Sequence, residues 1–441
     1  YGIPLAAYVV YANSIANRSG GWTTNSLVHE TTLANASYHV IILPNVDTLY
    51  SEGLIDLSGG DVVATMPTME AGRFYVWPFY DLYGDNFCNI GTATNSTTGK
   101  YLIKYRASNP GCAAGSGEYE GIIYMPTIYG ATLLRIEVSD SSDVNYVATS
   151  IQPAFTLTAL TSDSAPYAPT LIQTLLNGNL TTSNPPLCIM QLTARVAAYN
   201  PSEVAADVAL ITATLEAAGI SMTEHNYSTP SGVNLTLAYS VAQAEVLGVA
   251  ASPTDFVSLG SGWIDLAPEL CGDFLSHYDV RAFVALQAYL QLQANEAVYP
   301  LFEISENLYA NHTYMMQLFG KPQVNGFWSL TMYDGEGYLV PNSLNRYALN
   351  NRGNMTYPDG SLLYGGDSPA DSDDSFYMLL QSTDIAVSAE WESNWLPTPA
   401  AGGEFRFYLR WYGPTESLLN GTYTYPKLTE VAVNPPLPSA S

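Results

Sequence analysis

Three side chains near the start of the chain have the types and spacing to move protons. Asp47 sits in the run Pro44-Asn45-Val46-Asp47-Thr48-Leu49-Tyr50-Ser51, His39 precedes that run, and Asp81 lies downstream with Asn86 beyond it. Two carboxylates converging at a sheet edge could divide general acid and general base work, with His39 as a further proton carrier. Arg346, next to Asn345, adds a permanent positive charge that could hold an anionic group in a cleft. The competing reading is structural. Asn and Asp in such a run commonly satisfy turn backbone, and Arg346 buried against Asp47 or Asp81 would only hold the chain together.

Nucleophilic hydrolysis needs Ser or Cys beside a base. No Gly-x-Ser-x-Gly elbow is present, and His29-Glu30 is followed by Leu33 where a zinc-protease helix needs its second His. Asp367, Asp371, Asp373 and Asp374, in the polar stretch 365–375, offer oxygens to Ca²⁺ but lack the alternation, Gly and final Glu of an EF-hand. A solvated acidic loop is the plainer account of them. No other metal or cofactor is expected.

Composition places the chain better than these candidates do. Its 441 residues suffice for two or three domains with buried cores. Charged residues make up 12%, about half the usual share of roughly 25%, and 33 Tyr stand against four Lys. A surface built from hydroxyls and amides fits a secreted protein. The net charge of −26, with no basic cluster, excludes nucleic acid and anionic lipid as electrostatic partners. No run of about 18 apolar residues could span a bilayer. The chain opens on Tyr1 rather than Met, as expected once a signal peptide is gone.

Nine Asn-x-Ser/Thr sequons, at Asn17, Asn35, Asn95, Asn179, Asn226, Asn234, Asn311, Asn354 and Asn420, spread along the whole chain and predict N-linked glycans. Four cysteines allow three pairings. Cys88–Cys112 and Cys188–Cys271 join neighbouring segments and are the expected disulfides, four free thiols being the alternative.

The elements that must position all this read as mainly antiparallel β. An apolar helix is expected over 3–15, then short strands at 38–43, 48–56, 61–66, 73–80, 101–105, 121–124 and 132–138, each bounded by Gly, Pro, Asn or Asp. Helices are expected over 202–218 and 279–298. Residues 327–333 alternate with period two, and Asp334-Gly335-Glu336-Gly337 predicts a hairpin turn back into 338–340, with Trp328, Leu330 and Met332 facing the core. Residues 403–412 alternate in the same way. The Pro-rich tail 433–441 has no partner in the pattern and reads as a frayed end, or as a segment that docks on a neighbouring copy.

The residues carry a resemblance. The Pro44–Ser51 run, Asp56-Leu57-Ser58 and Gly72-Arg73-Phe74-Tyr75 are similar to the DUF1254 domain. Residues 325–334 (NGFWSLTMYD) and 339–347 (LVPNSLNRY), Asp359-Gly360-Ser361-Leu362 and Asn394-Trp395-Leu396-Pro397 resemble the DUF1214 domain that usually follows it. Arg281 and the run 294–300 (ANEAVYP) are similar to the entry segment of that second domain. The resemblance implies β-sandwich, jelly-roll-like domains with associated helices and transfers no catalytic residue. The expected fold is α+β, mainly antiparallel β, with two such domains, an N-terminal helix and a helical middle. The expected divisions are 1–165, a connector 166–269, 270–432 and the tail 433–441.

Two functions of different kinds follow. The first is an extracellular N-glycosylated structural protein whose partners are copies of itself, forming a fibre or sheath. The second is a secreted hydrolase-like enzyme using Asp47, Asp81, His39 or Arg346 on a small molecule or carbohydrate, or a soluble carbohydrate-binding protein. The missing catalytic constellation favours the first.

Overall fold

The structure is a computed structural model that describes all residues except 40–42, 162–167, 304–306, 366–367, 369–373 and 439–441. Helix α1 (Pro4–Ser19) begins on a proline, whose missing N–H costs nothing in the first turn, and stops at Gly20 with φ +74°. Two five-stranded sheets follow. One runs Val28–His29, Thr48–Asp56, Tyr129–Glu137, Tyr75–Asp81, Asn86–Gly91 in spatial order. The other runs Thr156–Ala159, Val62–Met66, Gly99–Tyr105, Gly121–Met125, Gly111–Ala114, with the pair 99–105 and 121–125 parallel. Every residue of Tyr75–Asp81 and Tyr129–Glu137 is buried. Tyr8 and Tyr11 of α1 explain one covered face: their hydroxyls donate to the carbonyls of Gly130 and Thr132, at 3.0 and 2.7 Å. Strands covered on both faces lose the apolar–polar alternation.

The second half is organised around Glu404–Tyr412, which pairs with Trp328–Asp334 on one side and with the short strands Ala297–Val298, Leu301–Phe302 and Leu308–Tyr309 on the other. A four-stranded sheet, 395–398, 376–382, 313–318, 427–431, packs beneath it. Trp328, Leu330 and Met332 are fully buried in the core between, as their spacing predicts. Architecture and strand content are those expected, a mixed α+β fold of mostly antiparallel sheets with an N-terminal helix. Residues 168–196 pack on the first core and Val249 opens the second, while Leu290 returns to the first and Leu292, Ala297, Phe327 and Tyr412 join Phe74 and Val76 in a cluster between them. Among the described residues no helix is long and apolar enough to cross a membrane.

Several local expectations change. The turn after Asp334 forms, with its carboxylate accepting from the amides of Glu336 and Tyr338. No return strand follows, only a single bridge between Tyr333 and Leu339, and the strand that pairs with Ser329–Thr331 is Ala348–Asn350. The cause lies across the molecule: Gly337 gives its carbonyl to the amide of Leu43 in the first domain. The helix expected over 279–298 covers only Tyr278–Gln287. Beyond it Leu290 turns left-handed (φ +63°) and gives its carbonyl to Tyr80 and Arg135. The helix expected from Ser202 begins at Val208. Of the strand expected at 38–43, residues 40–42 lie outside the described residues and the others are not in a strand.

Cys88 and Cys112 form a disulfide, as expected. Cys188 and Cys271 do not: both are free thiols. Cys188 is on a helix packed against the first core, and Cys271 is buried in the second, its thiol directed at the carbonyls of Leu266 and Ala267. Closeness in sequence did not translate into closeness in space.

The tail is also corrected. Asn434 exchanges hydrogen bonds with the Gln381 side chain and accepts from the amide of Ser388, while the Trp391 indole donates to Pro435 O at 2.6 Å. Leu437 packs on the cluster of Tyr377, Leu379, Trp391 and Trp395. The tail thus docks on its own domain. Deleting 434–441 should cost about 2 kcal/mol or more, because Trp391 and Gln381 lose buried partners. A urea midpoint unchanged by the deletion would show the tail to be idle.

Candidate functional site

The Pro44–Ser51 run lies where the two halves meet. Asn45 builds the turn, its side-chain oxygen accepting from the amides of Asp47 and Thr48, and its amide donates to the Tyr412 hydroxyl at 2.6 Å in the second half. Asp47 is 1% exposed. Its carboxylate accepts from Ser329 Oγ at 2.6 Å and pairs with Arg352, both from the second half. Arg352 also reaches Glu137 at 3.4 Å and lies over the Phe327 ring, 4.4 Å from its centroid. Phe327 stacks on Tyr412 at 4.2 Å and meets Phe74 edge-on at 5.7 Å. Close packing explains the glycine of NGFW: a Cβ on Gly326 would fall 2.4 Å from Phe74 Cδ2.

Asp47 therefore pairs with Arg352 rather than Arg346. Arg346 is half-buried and donates to the carbonyls of Glu392 and Trp395, holding its own domain's loops. His39 is exposed, its ring 4.5 Å from that of Tyr338. Asp81 is 1% exposed, and one of its oxygens accepts from the amides of Tyr83 and Asp85. The structure does not bring the four candidates together. Asp374 is exposed; Asp367, Asp371 and Asp373 lie outside the described residues.

A groove of about 570 Å³ opens beside the run, lined among others by Arg18, His29, Glu30, Tyr38, Thr48 and Tyr50. His29 Nδ1 lies 2.8 Å from Ser51 Oγ, a Ser–His pair that no sequence motif announces. Ser51 is fully buried and its hydroxyl also accepts from Gln152, so no substrate can reach it. Burial lowers the His29 pKa, keeping the imidazole neutral.

Behind the groove lies a buried polar interior that sequence reading missed. Arg135 donates to the Tyr80 hydroxyl and to Leu290 O, and Arg410 donates to Tyr333, Thr331 and the carbonyl of Leu43. Glu296 is fully buried with neither carboxylate oxygen hydrogen-bonded, and burial lifts its pKa to about 7 against the pull of Arg135. A second nest gathers Asp85, Glu203 and Asp273, with Arg281 donating to Asp85 at 2.8 Å. Arg281 and Glu296 carried a sequence signal only through their place in the resemblance, and Asp85, Arg135, Glu203, Asp273 and Arg410 carried none.

Residues 24–159 match the family described as protein of unknown function DUF1254, and residues 302–416 match DUF1214. The chain belongs to the DUF1254/DUF1214 tandem family. It is similar in structure to the VPA0106 protein from Vibrio parahaemolyticus, with TM-score 0.65 and 17% identity over 98% of this chain and 97% of that one. An uncharacterised protein from Burkholderia cenocepacia aligns with TM-score 0.46 and 10% identity over 97% and 86%. The first likeness supports the fold. No curated protein matches.

In tandem-family terms, the DUF1254 run and the DUF1214 run NGFWSLTMYD are two halves of one junction. Ser329 and Tyr333 come from the second run, and Tyr333 donates to Pro44 O in the first at 2.8 Å. Two expectations follow. Replacing Asp47 by Ala leaves Arg352 and Ser329 facing an apolar hole and should cost about 3–5 kcal/mol in denaturant unfolding; a variant as stable as the parent would free Asp47 for chemistry. The second concerns pH. Glu296 titrates near its ordinary value of about 4.3 when unfolded and at about 7 when folded. Between those values the folded chain holds the extra proton, so stability falls as pH rises from about 4.5 to 7. Glu296→Gln should flatten that decline and gain on the order of 3 kcal/mol at pH 8. Parallel stability–pH curves for variant and parent would contradict it.

Proposed function

We propose that this protein is an extracellular, N-glycosylated structural protein that associates with copies of itself. The observation that carries the reading is a pair of helices in the middle segment. Val208–Ala217 and Leu235–Gly248 are rich in apolar residues, yet bury only Leu215 and Val246. Leu210, Leu237, Val241 and Leu247 are 67, 62, 62 and 56% exposed. Leu237 and Val241, four residues apart, share one helix face. An apolar surface of this kind marks an interaction site. The partner is a second copy, whose own exposed Leu237 and Val241 offer a matching apolar face, with the acidic Glu245 at its border. Contact with a different surface of the next copy extends into a filament when its rotation does not close a ring.

Two further observations support the reading. All nine sequon asparagines are exposed, so each is accessible to glycosylation. The carboxylates Asp47 and Asp81 are buried, so the two acids named for acid–base work are closed to a substrate. The groove with Arg18, His29 and Glu30 is the specific feature favouring a small-molecule or carbohydrate ligand instead.

Leu237→Glu with Val241→Glu should convert large assemblies to single chains, read by light scattering and electron microscopy of the glycosylated protein. The parent remaining monodisperse and small at every concentration would refute the proposal. Saturable binding of an oligosaccharide that Arg18→Ala abolishes would promote the groove.

A further inference from the structure

The nest at Asp85 has a charge problem that the protein's own cations do not solve. Asp81, Asp85 and Glu203 are 1, 0 and 6% exposed, and Asp273 is half-buried beside them. Against four carboxylates stands Arg281, whose Nη1 binds Asp85 and whose guanidinium is enclosed by the rings of Tyr1, Tyr83 and Tyr278 at 4.8–4.9 Å. One positive charge facing four negative ones is costly in a low-dielectric interior.

Geometry points the spare oxygens at one another. One ligand-capable oxygen from each of Asp85, Glu203 and Asp273 falls within 4.8 Å of the others. Oε1 of Glu203, Oδ1 of Asp273 and Oδ2 of Asp81 have no hydrogen-bond partner. For an oxygen on a side chain 94% buried, as Glu203 is, that is an unusual state. Asp273, the half-buried member, gives the nest an edge toward solvent.

Hydrogen bonds around the nest hold the segments that carry the three carboxylates independently of any ion. Asp85 accepts from the amide of Phe274 through Oδ1. Asn200 fixes the approach to Glu203, its side chain accepting from the amides of Ile128 and Tyr129 while its carbonyl takes the Tyr83 hydroxyl. Ser202 bonds Tyr278, and Asp207 bonds Ser276 and Tyr278. The next residue after Asp85, Asn86, donates its amide to Gly272 O at 2.7 Å, beside Asp273. The three ligands thus come from the first domain, the middle segment and the entry to the second domain.

We propose that Asp85, Glu203 and Asp273 form a divalent-cation site, of Ca²⁺ type, that fastens these three segments together. An all-carboxylate set without His or Cys selects a hard cation over zinc or copper. A dication beside Arg281 brings four negative charges against three positive ones. Burial and mutual repulsion push Glu203 to about 11 and Asp273 to about 6, which gives the alternative occupant of the nest: a proton shared between their carboxyls.

The test uses the full chain, stripped with EGTA and titrated with CaCl₂ by calorimetry at pH 7.5, with melting followed in parallel. One Ca²⁺ per chain should bind, and saturating Ca²⁺ should raise Tm by roughly 3–8 °C over EGTA. Glu203→Gln and Asp273→Asn keep the shape and should each weaken binding at least about tenfold, with circular dichroism confirming the fold. Asp371→Asn with Asp373→Asn, in the polar stretch, should leave affinity unchanged. No saturable binding by the parent, a melt indifferent to EGTA as a shared proton predicts, or binding lost only in the Asp371/Asp373 variant would each overturn the site.

Discussion

Arg352, held between Asp47 and Glu137, is the contact on which the relation of the two halves depends. A buried carboxylate must be paired or neutralised, and among the described residues no cation of its own domain pairs with Asp47. The second half supplies both the guanidinium and the Ser329 hydroxyl, so the charge of one domain is satisfied only when the other is docked. Stacking of Phe327 between Arg352 and Tyr412 carries the same dependence into the apolar part of the junction.

The same economy repeats elsewhere. The chain has only 14 Lys and Arg, yet Arg135, Arg281 and Arg410 are at most 6% exposed and Arg352 has a 13% exposed side chain. Arg135 and Arg410 each bond a carbonyl or hydroxyl from the opposite half, and Arg281 reaches back to Asp85. Spending scarce cations inside leaves the surface acidic and the interior cross-braced. Buried arginines of this kind set geometry more than they add stability, since desolvation offsets much of their Coulomb gain.

That bracing separates a rigid pair of β domains from a middle segment of different character. Asn45, Asp47, Phe74, Phe327, Ser329 and Tyr333 of the family motifs are absorbed by the domain junction, whereas Arg346 and Asn394 hold loops of their own domain. The helices 208–217 and 235–248 instead present apolar side chains outward. All nine sequon asparagines lie on the exposed surface.

Local pattern determined the strands, the buried face of Trp328, Leu330 and Met332, the Asp334 turn, the Cys88–Cys112 bond and the family. Each depends on neighbours in sequence or on a period of two, which one chain displays by itself. Tertiary structure decided the rest. The helix at 278 ended early because Leu290 and Gln293 bond the first domain; the strand after Gly337 failed because Leu43 took its carbonyl. Arg352, not Arg346, answered Asp47, and Glu203 met Asp85 across more than a hundred residues. Partners of a buried charge are chosen by three-dimensional proximity, and nothing in the spacing of residues encodes that distance.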